Sequence, residues 1–253
     1  MENYIDTLNT AQKQNLDIIT DEVKKAFSNP KTQAGILAIV GKESNFKTKP
    51  ELSYAGTSNA RIKAIFGKRV SALSDAQLDI LKKSDKDFFE VVYGKNSGQP
   101  LGNTQDGDGY KYRGRGFNGL TGRANYDFYG KKIGADLVNN PDLLNDPKIA
   151  AKALVMYFRM QAASPVNKIG QYNAKGPEDF KTVQDSTRAF YHANAGWGKS
   201  QADILKDQTG GLKKALTIAP DFLEYVSGEK KKPLMILIVL VILVLIWLFI
   251  KKR

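Results

Sequence analysis

The sequence predicts a mainly α fold, with a glycine-rich loop region set into it and one further helix, apolar on every side, at the C-terminal end. Three observations carry this reading. Apolar residues recur at helical spacing in most of the chain, beginning with Ile5, Leu8, Leu16, Ile19, Val23 and Phe27. The longest stretch without that period, 94–122, is rich in glycine. The run 234–250 is apolar throughout, with no charge, no glycine and no proline.

In chain order, a first amphipathic helix is expected over about 4–26, broken by Asn29-Pro30. Thr32 is read as the cap of a second helix over 33–44. Helices follow near 58–66, 75–83 and 85–93, and 94–122 reads as loops with a short hairpin. Helical patterns resume at about 124–133, 147–160, 177–193 and 201–216. Residues 1–226 are thus expected to form one catalytic-sized domain, 227–232 a linker, and 233–253 a membrane anchor with basic flanks.

The anchor reading rests on length and flanks. At ~1.5 Å per residue the run 234–250 gives a helix of about 26 Å, near the short end of a bilayer span. Lys230, Lys231 and Lys232 precede it and Lys251, Lys252 and Arg253 follow, and such side chains can snorkel to headgroups. Basic residues on both sides leave the orientation open. Residues 1–15 have neither a basic nor an apolar export region, so the domain is expected to fold in the cytosol before its tail inserts.

Composition excludes several chemistries. There is no cysteine, hence no disulfide or thiolate metal site. The single histidine, His192, leaves no His-rich zinc site and reads as a structural residue. No metal or other cofactor is expected. Of the net charge of +12, six charges flank the apolar run, which leaves six for the rest. That suits an anionic polymer or surface as partner and is modest for a nucleic-acid binder.

Two carboxylates and one segment carry candidate chemistry. Glu43 follows Ile36, Ile39 and Val40 at helical spacing and sits in the last turn of its helix. An apolar face and the negative dipole end both favour a neutral carboxyl, which is the form a general acid needs. Glu51 lies after Lys49-Pro50 in a loop-like setting, where a carboxylate should stay ionised and could activate water. Two carboxylates in contrasting environments are the glycosidase arrangement. In 106–128 the glycines allow close approach to a substrate, and Tyr110, Tyr112 and Tyr126 offer faces for sugars. Arg113, Arg115 and Arg123 lack the Gly-Lys-Ser/Thr of a phosphate loop, and Asp106 and Asp108 read as a turn rather than a calcium loop.

Together these pieces resemble glycoside hydrolase family 19, the chitinases and especially the lysozyme-like endolysins of bacteriophages. Lys42-Glu43-Ser44 matches the family's His-Glu-Ser/Thr helix end, and 50–55 matches the segment carrying the second carboxylate. Tyr112 to Tyr126 matches the Tyr-Arg-Gly-Arg-Gly signature and its Leu-Thr-Gly-Arg continuation, with 65–70 and 140–154 also similar. The resemblance covers roughly 30–200. It implies a lysozyme-like helical domain in which Glu43 is the acid, Glu51 the base and Thr121 a holder of the attacking water. Tyr54, Tyr112, Arg115, Asn125, Tyr126 and Asn194 are implied as substrate-binding residues. The chain departs from the family at Lys42, at Gly119 in place of Gln, and in lacking the Arg expected some eight residues after Asn194.

The expected function is that of a membrane-anchored lytic enzyme that hydrolyses β-1,4 bonds of bacterial peptidoglycan, by inversion. Its expected partners are the wall polymer and a lipid bilayer, with no nucleic acid. The expected location is the virion membrane of a membrane-containing phage, or otherwise the host inner membrane. Two alternatives stand beside it: a lytic transglycosylase, for which Glu51 would be dispensable, and a non-catalytic wall-binding or structural virion protein.

Overall fold

The computed structural model describes residues 2–48, 50–163, 172, 174–195 and 210–228. Among these are ten α-helices, three short 3-10 turns and no sheet. The helices are α1 (Thr10–Ala26), α2 (Pro30–Ser44), α3 (Asn59–Phe66), α4 (Asp75–Leu81), α5 (Asp85–Tyr93), α6 (Asp108–Lys111), α7 (Arg123–Ile133), α8 (Pro147–Ala163), α9 (Val183–Ala195) and α10 (Gly211–Ser227). Among the described residues no helix is long and apolar enough to cross a membrane. The expected anchor at 233–253 and most of the linker lie outside the described residues, as does the first part of the helix expected over 201–216.

The expected hairpin reduces to one antiparallel bridge, Arg115 to Leu120, with backbone bonds of 3.1 and 2.8 Å. Several boundaries move for identifiable reasons. A separate 3-10 turn, Tyr4–Thr7, precedes α1, because Asn9 and Gln12 form a capping box that starts the α-helix afresh. Asn29, not Thr32, caps α2: its side chain accepts from the Lys31 amide, and Pro30 takes the first helical position. Thr32 is buried inside the helix and donates to the Pro177 carbonyl. Helix α9 starts six residues later than expected, because Thr182 Oγ1 accepts from the Asp185 amide.

Helix α2 is the axis of the larger lobe. Every residue from Thr32 to Gly41 is buried, so it is covered on all sides rather than amphipathic. Helices α9 and α10 pack along it, with α1 and α8 completing the surrounding layer. At Gly35 a Cβ would lie 2.3 Å from Ser186 Oγ, so only glycine permits α9 to come this close. A smaller lobe gathers Ile62, Phe66, Leu78, Phe88 and Phe89 from α3, α4 and α5. A third cluster ties the glycine-rich segment to α7 and α8 through Tyr112, Tyr126 and Ala153. The C-terminal end of α2 opens where these clusters meet.

Candidate active site

Helix α2 ends at Asn45, whose left-handed backbone (φ 50°) turns the chain out of the core; Tyr4 fixes this corner by donating to the Gly41 carbonyl and to Asn45 Oδ1. Glu43, two residues earlier, lines a cleft of about 780 Å³. The desolvated setting expected for it is absent, since its side chain is 31% exposed. Lys42 Nζ lies 2.7 Å from Glu43 Oε1, and Asn194 Nδ2 donates to the same oxygen at 3.0 Å. Both contacts fall on Oε1, so Oε2 has no partner among the described residues.

Lys42 is itself held. Its ammonium lies 5.3 Å from the Tyr191 ring centroid, and a Cβ at Gly211 would sit 2.2 Å from its Cε. Lys42 is thus a built-in partner of Glu43, wedged between α9 and the start of α10.

Glu51 reaches the same cleft from the loop after α2. Its amide donates to the Gly114 carbonyl at 2.7 Å, which pairs the loop with the glycine-rich segment. The carboxylate accepts from Tyr54 Oη at 2.9 Å, Tyr93 Oη at 3.1 Å and the Gly114 amide at 3.4 Å. Burial, and then the Glu51 charge, push both tyrosine hydroxyls well above the usual range, so they remain protonated donors. Gly114 keeps the gap open, because a Cβ there would lie 3.2 Å from Glu51 Oε2 and 3.4 Å from Thr121 Oγ1.

Thr121 and Asn125 complete the wall opposite. Thr121 Oγ1 donates to the Gly119 carbonyl at 2.8 Å, and Asn125 Nδ2 donates to the Thr121 carbonyl at 2.7 Å. Five of the nine residues singled out in the sequence therefore line one cleft: Glu43, Glu51, Thr121, Asn125 and Asn194. The other four do not. Tyr54 stacks within the small lobe's aromatic cluster and meets the site only through its hydroxyl on Glu51.

Tyr112 and Tyr126 correct an expectation: both are fully buried, edge to face against each other, and offer no face to a sugar. Burial pushes the Tyr126 hydroxyl up to about 12 against the pull of Arg115. Arg115 is also buried, bonded to Asp142, the Lys111 carbonyl and Tyr126 Oη. Tyr112, Arg115 and Tyr126 thus hold the segment's shape, while Gly114, Gly116, Gly119 and Thr121 line the cleft. Asp108, the turn residue, accepts from the Thr104 and Gln105 amides and from Arg123.

Tyr93, Leu52 and Lys47 line the cleft and were not singled out in the sequence. Tyr93 closes the Phe-Phe-Glu-Val-Val-Tyr run of α5, whose pattern marks Phe88, Phe89 and Val92 as core without separating its last residue from them.

Residues 91–176 match the family model described as chitinase class I, that of glycoside hydrolase family 19. This stretch holds Tyr93, Thr121 and Asn125; Glu43 and Glu51 precede it. An endochitinase of Brassica napus is 50% identical over 58 residues, 22% of this chain and 18% of that protein. Chitinase 11 of Oryza sativa is 44% identical over 54 residues, 21% of each chain. A glycosyl hydrolase family 19 domain-containing protein of Haemophilus influenzae is 32% identical over 68 residues, 27% of this chain and 34% of its own length. The chain spans about a fifth to a third of the length of these curated relatives.

Proposed function

We propose that this chain, whose residues 91–176 match the family model of glycoside hydrolase family 19, is a peptidoglycan glycosidase acting by single displacement with inversion. The observation that carries the proposal is the asymmetry of the two carboxylates on one cleft. Glu51 is fixed by three donors, while Glu43 has partners on one oxygen only among the described residues and lines the cleft. In the reaction Glu51 takes a proton from a water held near Thr121. The water oxygen bonds to the anomeric carbon as the glycosidic C–O bond breaks, and Glu43 passes its proton to the departing oxygen. Lys47 on the wall of the cleft favours a glycan that carries carboxylates, as peptidoglycan does through its lactyl and peptide groups, over neutral chitin. The apolar run 234–250 anchors the enzyme in a bilayer, that of a membrane-containing phage particle or of the host's inner membrane.

Digestion of purified peptidoglycan by the full chain in detergent, with the products identified by mass spectrometry, tests this. Reducing-end MurNAc or GlcNAc is expected, and Glu43→Gln should lower its release by roughly 10²–10⁴-fold. Anhydro-MurNAc, with activity surviving Glu51→Gln, would instead make the protein a transglycosylase. Chitin cleaved in place of peptidoglycan would overturn the substrate, and binding without cleavage would overturn the enzyme reading.

A further inference from the structure

The cleft takes up little of the domain's positive charge. Away from it, α1, α7 and α8 enclose a shallow groove of about 210 Å³. Its rim carries Lys25, Lys132, Lys152 and Arg159, with Glu22 as the acidic residue among them. Lys25 is paired with Glu22 at 2.7 Å, whereas Lys132, Lys152 and Arg159 have no acidic partner among the described residues. The floor is apolar: Ala26, Ile133, Val155 and Met156. On the α7 side Phe128 is 40% exposed, and Lys132 Nζ lies 5.7 Å from its ring centroid. On the α8 side Met160, next to Arg159, is 39% exposed.

Lys132, Lys152 and Arg159 on one groove outnumber its single carboxylate, Glu22, which is paired with Lys25, and a purely electrostatic surface needs no apolar floor. An apolar floor under a basic rim, flanked by an exposed aromatic and an exposed methionine, matches a ligand with a phosphate beside hydrocarbon. We propose that this groove is a docking site for the headgroup of an anionic phospholipid. Phosphate lies against Lys132, Lys152 and Arg159, the glycerol and first acyl carbons lie over Ile133 and Met156, and Phe128 and Met160 enter the interfacial layer. Nucleic acid is disfavoured because the groove offers no row of stacking faces. A polyol phosphate would leave the floor unfilled. The sequence also holds the apolar, lysine-flanked run 234–250, so a lipid surface is a partner for which the chain has a second means of contact. The inference is independent of the glycosidase reading, since none of these residues lines the cleft.

The absence of cysteine lets a single probe report on the site. The full chain carrying Met160→Cys, labelled with an environment-sensitive fluorophore, is placed in nanodiscs of phosphatidylcholine with increasing phosphatidylglycerol. The emission should shift to the blue and saturate as phosphatidylglycerol rises, with no such response in pure phosphatidylcholine. A label at Leu52→Cys, on the cleft, should not respond. Each of Lys132→Gln, Lys152→Gln and Arg159→Gln should raise the phosphatidylglycerol fraction needed by about fivefold, and melting of each variant by circular dichroism checks that it is folded. An equal response in both lipids, or one that survives the triple Gln variant, overturns the proposal. A response in phosphatidylcholine discs to poly(glycerol phosphate) or to single-stranded DNA, as strong as that to phosphatidylglycerol, would overturn it in favour of a general polyanion surface.

Discussion

Tyr93, the last residue of α5, donates its hydroxyl to Glu51 across 42 positions of sequence and thereby couples the small lobe to the proposed base. The phenyl ring stacks on Phe89 with an interplanar angle of 8°, so the donor is anchored by the lobe's own core. Tyr93→Phe keeps that packing and removes one of three donors to the carboxylate. The turnover rate should fall roughly tenfold with little change in KM, because a bond to a charged group is lost while substrate contacts stay. Steady-state kinetics on a soluble peptidoglycan fragment decides it; a loss confined to KM would place Tyr93 among substrate contacts instead.

Gly114→Ala tests the spacing between the proposed base and Thr121. The added Cβ falls 3.2 Å from Glu51 Oε2, so the carboxylate or the glycine-rich segment must give by a few tenths of an ångström. Activity should drop by roughly tenfold, a displacement effect on catalysis rather than on folding. The melting temperature should change little, which calorimetry checks.

Asp108 predicts a pH-dependent stability. Burial opposes its ionisation, but Arg123 and the Gln105 and Thr104 amides outweigh burial and hold the carboxyl below the usual range. With the folded-state value lying below the unfolded one, the stabilisation is complete above about pH 4–5 and is lost as pH falls through the folded value. Asp108→Asn should therefore lower stability at neutral pH and matter less at low pH. Urea denaturation of both forms should show the gap closing on acidification; a gap independent of pH would mean that the ion pair contributes nothing.

Arg115→Met separates a structural from a substrate-binding role. The guanidinium is bonded to Asp142, two backbone carbonyls and Tyr126 Oη, and its loss strands the buried carbonyls. The variant should lose roughly 2–4 kcal/mol of stability, with KM unchanged at temperatures where it stays folded. A raised KM at full stability would return Arg115 to the substrate side.

Local rules made much of this molecule legible. Asn29-Pro30 marked the break before α2, and Ile36, Ile39 and Val40 marked a buried face leading to Glu43. The chemistry-bearing positions Glu51, Thr121, Asn125 and Asn194 followed from motif likeness, and the fold brings all of them to one cleft. What escaped depends on distant partners. Glu178 accepts from the amides of Ser28 and Asn29, pinning the corner between α1 and α2 from 150 residues away, and no local pattern encodes that. The helix expected to end at 216 runs on through Pro220 to Ser227, with Ala219 and Phe222 buried in the core around α2. Tyr112 and Tyr126 carry the same side chain that an exposed sugar platform would carry, so only burial tells the two roles apart.

The enclosure of α2 has a consequence for how the protein is made. The helix that presents Glu43 is synthesised early, but two of its covering walls, α9 and α10, are the last of the described helices to be made. At ribosomal speeds of roughly 5–20 residues per second, α2 must wait on the order of ten to thirty seconds for its cover. During that interval its apolar residues are open to chaperones and the cleft is unformed. The nascent chain should therefore be inactive until α10 has cleared the exit tunnel, a delay set by topology that would keep the proposed activity silent during translation.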